Sequence, residues 1–152
     1  MKISQHMVKW CHFDSARARL DPVADFELWF WATLSGGTAL INAALHAGGL
    51  TQENELLTTQ IPYVYAVWGA GGPNTQQLAR DSDLIHVDLP PIDGALPDDL
   101  ERAFTAMRVI ETYRDPCIRS DTPVTPEVVE QCVRSYVNLV EALGPRLQVH
   151  PS

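Results

Sequence analysis

From Leu28 to Leu50 the chain carries no Asp, Glu, Lys or Arg, and Ala, Leu, Trp and Phe dominate the run. A helix built from this segment is apolar nearly all the way round, so it must be covered on most sides. The start signals lie just upstream. Asp21 is a candidate N-cap, Pro22 fits a first helical position, and Asp25 with Glu27 suits the positive end of a helix. Gly48 and Gly49 mark the exit. The sequence therefore predicts one long helix between Asp21 and Gly49, around which the rest of the protein is arranged.

A run of this length would just span a bilayer, which takes roughly 20 apolar residues. Thr33, Ser35, Thr38, Asn42 and His46 interrupt it, and no basic flank sets an orientation. A buried or interfacial helix fits better. Within it Ala32 and Gly36, then Ala39, Ala43 and Ala47, repeat at intervals that permit close approach by another helix. Gly36-Gly37 costs about 1 kcal/mol per glycine relative to alanine in a helix interior, which implies close packing or a kink there.

Other elements follow from periodicity. Ile3, Met7, Trp10 and Phe13 predict a helix from Ile3 to about Arg19, forming a hairpin with the long helix. Pro97-Asp98-Asp99 opens a helix to about Arg114 that Asp115-Pro116 should end. Thr125-Pro126-Glu127 opens a last helix that Gly144-Pro145 should end. Between the second and third helices, residues 50–97 form a long insert without helical periodicity. It includes an extended candidate, Ile61 to Trp68, a glycine-rich loop from Gly69 to Asn74, and a second extended candidate at Leu84 to Leu89. The fold class is mainly α: a single helical domain over 1–152, a four-helix bundle of two hairpins with a long irregular insert.

Charge narrows the function. A net charge of -8 disfavours a phosphate-coating nucleic-acid binder. Lys9, Arg17 and Arg19 make only a local basic patch, expected as a solvated helix surface. Cys11, Cys117 and Cys132 show no CxxC spacing, and no secretory leader is evident, so a reducing cytoplasm is expected.

The candidate site is the polar edge of the long helix. Glu27, Trp31, Ser35, Thr38, Asn42 and His46 recur at steps of three or four, hence along one side. Past Glu27 this edge carries only neutral hydrogen-bonding groups and an indole, which suits a dehydrated contact better than open water. The leading expectation is a protein that binds a partner subunit, as a homodimer, through this helix. The consecutive Trp29, Phe30 and Trp31 support it, because they point in different directions. The alternative is a small-molecule binder or small enzyme whose pocket is formed by Trp31, Ser35, Asn42 and His46 with Tyr63, Tyr65 and His86 of the insert. No catalytic residue and no cofactor can be named.

The histidines gather no metal signature. His12 with Asp14 and His86 with Asp88 are isolated pairs, and no HExxH or CxxC is present. No metal site is expected. Arg80 and His86, six residues apart, resemble the Arg and His of HEPN-type ribonucleases. That resemblance would imply RNA cleavage, with Arg80 steadying phosphate and His86 in acid–base work. It spans two residues of a segment read as loop.

Overall fold

The computed structural model describes residues 1–53 and 95–150, and within 54–94 the backbone of three short strands. The protein is mainly helical. Four long helices, α1 (Ile3–Arg17), α2 (Phe26–Ala47), α3 (Asp98–Glu111) and α5 (Pro126–Leu147), are joined by a one-turn helix, α4 (Arg114–Ile118). Two hairpins result, α1 on α2 and α3 on α5, and α2 packs against both α3 and α5. No described helix is long and apolar enough to cross a membrane.

The uncharged run is one unbroken helix, but it starts later than its first signals suggest. Asp21 caps a separate turn: its Oδ1 accepts from the backbone N–H groups of Val23 and Ala24, both at 2.9 Å. These bonds, the Ala24 one foremost, hold its carboxyl below the usual carboxylate range. Pro22 thus lies in that turn, and α2 proper begins at Phe26 with Asp25 as N-cap. The helix passes through Gly36 and Gly37 because both are packing positions. A Cβ at Gly36 would stand 2.9 Å from Tyr136 Oη, and one at Gly37 would stand 3.0 Å from Met107 Sδ and 3.3 Å from Leu139 Cδ1.

The core forms on that contact. Leu34, Leu40, Ile41 and Leu45 of α2 meet Leu100, Phe104, Met107 and Ile110 of α3 and Leu139, Val140 and Leu143 of α5 in one buried cluster that also takes in Trp10 of α1. Full burial of such side chains stabilises by about 1.5–3 kcal/mol each. Phe26, Trp29 and Phe30 belong to the same cluster, with ring centres 5.4 Å apart for Phe26–Phe30 and 6.0 Å for Phe26–Trp29.

Three boundaries depart from the sequence expectation, each at a proline or glycine. Pro116 does not stop a helix: α3 ends at Glu111, and Pro116 falls in the first turn of α4, where a missing N–H loses no intrahelical bond. Gly144-Pro145 lies inside α5, which ends at Leu147 with Gln148 left-handed at φ 57°. Gly144 is needed because the tail folds back on it: Val149 N–H donates to Gly144 O at 3.1 Å, and a Cβ there would meet Val149 O at 2.6 Å. In the insert, Gly72-Pro73-Asn74 is strand rather than loop. β2 (Val64–Gly69) pairs antiparallel with β3 (Gly72–Gln77), Gly69 opposite Gly72, and β1 (Leu57–Thr58) flanks β2 on its other side.

An ion pair ties the ends of three helices. Arg146 Nε and Nη2 donate to Asp99 Oδ2 and Oδ1 at 2.7 and 2.9 Å, linking the last turn of α5 to the first of α3. The Arg146 guanidinium also lies against Gly48, where a Cβ would stand 3.0 Å from Nη1. Its hydrogen bond holds the Asp99 carboxyl below the usual range.

Candidate functional site

The neutral edge of α2 runs as one lane, and its surroundings change from end to end. Its first member, Glu27, is exposed, and Leu28 beside it, three residues before Trp31, is 65% exposed. Trp31, Ser35 and Thr38 are half-buried. Asn42 and His46 are buried, at 3% and 7% exposure. Of the three consecutive aromatic residues, Trp29 and Phe30 enter the core, while Trp31 stays half-covered with its ring edge-on to Phe30.

The closed end is built by α1 and by the chain leaving α2. The ring of His6, itself 2% exposed, sits with its centre 5.3 Å from that of His46. Thr51 Oγ1, also buried, is 2.7 Å from His46 Nδ1. Two residues on, Glu53 Oε2 accepts the backbone N–H of Ile3 at 2.8 Å, latching the exit strand of chain onto the start of α1. His6 was missed in the sequence although a signal existed. It lies three residues after Ile3 and four before Trp10, on the apolar face of α1.

A second polar node crosses the bundle. The Trp10 indole N–H donates to Tyr136 Oη at 3.1 Å, in the interior. The Arg17 guanidinium stacks over the Tyr136 ring, 4.3 Å from its centre, and pairs with Asp14 at 2.9 Å. Arg17 is therefore not part of a solvated basic surface: its side chain is 14% exposed. Burial, then the neighbouring Asp14 charge, pushes the Tyr136 phenol well above its ordinary range. The phenol is thus a neutral hydrogen-bonding group at any physiological pH. This node fastens α1 to α5 and leaves no nucleophile exposed.

Of the remaining sequence candidates, Tyr63, Arg80, His86 and Asp88 lie outside the described residues, and Tyr65 is placed only as a backbone position of β2. The structure accordingly brings Asn42 and His46 together at the closed end, with Trp31 and Ser35 further down the lane. Burial raises the Cys117 thiol and pushes Cys132 up to about 12, so neither stands ready as a thiolate. Among the described residues no three His, Cys, Asp or Glu side chains form a metal-binding group. What the lane can do chemically is bind: it offers apolar area, an indole and neutral donors and acceptors. Comparison with known proteins returns no matching family model, no matching curated protein and no matching solved structure.

Proposed function

We propose that this protein acts by non-covalent binding, pairing with a second copy of itself through the open half of the α2 lane, Leu28, Trp31, Ser35 and Thr38. The observation that carries this reading is the 65% exposure of Leu28 beside a lane that carries no charge past Glu27. The exposed faces of the other long helices are charged, with Lys9 on α1, Glu101, Arg102 and Arg108 on α3, and Glu127, Glu130, Arg134 and Glu141 on α5. Two copies that each carry a net charge of -8 repel, and the face of α2, whose single carboxylate is Glu27, is where that repulsion opposes contact least. The three free thiols support a reducing, cytoplasmic setting.

Sedimentation over a concentration series tests the pairing. The wild-type chain is expected to dimerise in the micromolar range, and Leu28→Glu to weaken dimerisation at least about tenfold while leaving the helical circular dichroism unchanged. A wild-type chain that stays monomeric at high concentration overturns the reading.

A second reading has its own support. Thr38 Oγ1 is buried and has no hydrogen-bond partner among the described residues, an arrangement a small ligand bearing a polar group would satisfy. In that case the ligand lies against Trp31, Ser35, Asn42 and His46, and the insert candidates Tyr63, Tyr65 and His86 are for substitution to test. Ligand-induced melting shifts that survive both Asn42→Ala and His46→Ala would remove its support.

A further inference from the structure

We propose that pairing of two copies through the open half of α2 is gated by ionic strength: carboxylates at the start of the helix oppose the contact in dilute buffer, and salt releases it. The inference rests on the pairing proposed above and concerns what regulates it. Between Leu20 and Glu53 the chain has no Lys or Arg, while Asp21, Asp25 and Glu27, just ahead of Leu28, are all exposed. A surface that meets its own copy does so about a two-fold axis, so every charge near the contact appears twice. Along this stretch the doubled charges are all negative. Whatever the crossing angle, α2 against α2 brings carboxylates toward carboxylates and supplies no cation to answer them.

The backbone holds two of these charges in place. Asp21 Oδ1 accepts from the N–H groups of Val23 and Ala24, both at 2.9 Å, and Asp25 Oδ2 accepts from the N–H of Asp21 at 3.2 Å. Of the cations nearest in sequence, Arg17 is engaged with Asp14 and Tyr136 inside its own copy, and Arg19 is exposed. The Debye length is about 10 Å at 0.1 M salt and about 3 Å at 1 M, so exposed charges about a helix diameter apart interact in dilute salt and are screened in concentrated salt. The apolar contribution of Leu28 and Trp31 is not screened in this way.

Sedimentation of the full-length chain in NaCl measures the gate. From about 0.02 M to about 0.5 M, the dissociation constant of the wild-type pair is expected to fall at least about fivefold. Salt also strengthens apolar contacts in general, so charge variants separate the two causes. Glu27→Gln should tighten pairing in dilute salt and flatten its salt dependence, with helical circular dichroism unchanged. Glu141→Gln removes the same charge from an exposed position on α5, five residues before Arg146, which lies against Gly48 at the far end of α2, and should do so less. A wild-type chain that stays monomeric at every salt concentration removes the pairing itself. Pairing that is indifferent to salt, or a salt dependence that the two variants leave equal, overturns the gate alone. Pairing that salt weakens, with the weakening abolished by Arg19→Gln, overturns it in favour of a bridge from Arg19 to a carboxylate of the second copy.

Discussion

At one end of α2, Leu28 is 65% exposed; about five turns further along the same lane, His46 is 7% exposed and in contact with His6. Both belong to the same uncharged stretch. What separates them is length and cover. α1 has 15 residues and α2 has 22, so at about 1.5 Å per residue α1 cannot shadow α2 over its whole length. The covered end becomes a polar junction of buried side chains, and the uncovered end becomes a surface. Neutral polarity along a helix thus marks a dehydrated contact at one end and an available one at the other.

The same substitution at a core position and at the open end of the lane should have very different costs. Leu34→Ala, at a fully buried position, should destabilise by about 2–5 kcal/mol, and Leu28→Ala in the monomer by no more than about 0.5 kcal/mol, read by chemical denaturation. Equal effects would mean that Leu28 is covered in the folded monomer.

A smaller effect is expected where α2 passes Tyr136, the residue that fastens α1 to α5. Gly36→Ala should cost about 1–3 kcal/mol, because its methyl meets Tyr136 Oη at 2.9 Å. Tyr136→Phe removes that oxygen, so the added cost of Gly36→Ala should fall in the Tyr136→Phe background, as a double-mutant cycle would show. A strictly additive cycle would place the strain elsewhere, with Phe13 Cβ at 3.4 Å the next neighbour.

The smallest expected effect lies at the Arg146–Asp99 ion pair, whose side chains are 25% and 22% exposed. Asp99→Asn should destabilise by about 1 kcal/mol near neutral pH, since solvent screens a charge-assisted pair that is not fully buried. The Asp99 carboxyl is held below its ordinary value of 3.8, chiefly by the Arg146 hydrogen bond. Its contribution is therefore present above that value and is lost as pH falls through the lowered one. The gap between wild type and Asp99→Asn should shrink as the solution is acidified below 3.8 and be absent once the wild-type carboxylate is protonated.

Much of the fold was legible because it depends on local chemistry. The apolar run from Leu28, the Thr125-Pro126 start of α5 and the Ile3-Met7-Trp10 row each specify a helix through residues within a few positions of one another. Prolines and glycines read least well. Pro116 and Pro145 both lie within helices: Pro116 is in a first turn, where the N–H has no intrahelical partner, and Pro145 is near a C-terminus, where the helix forgoes a single bond before it ends. The site was half legible. Asn42 and His46 stood out as neutral polar groups on an apolar helix, whereas His6, Thr51, Arg17 and Tyr136 acquire meaning only from partners far away in sequence.

By itself, then, the order of residues determined which segments are helical and which faces must leave water, since periodicity and capping act over a turn or two. Only the tertiary arrangement decided that His6 meets His46, that Tyr136 fills the space left by Gly36, and that Leu28 stays outside. Those outcomes depend on where one helix ends against another, a distance through space that no local pattern encodes.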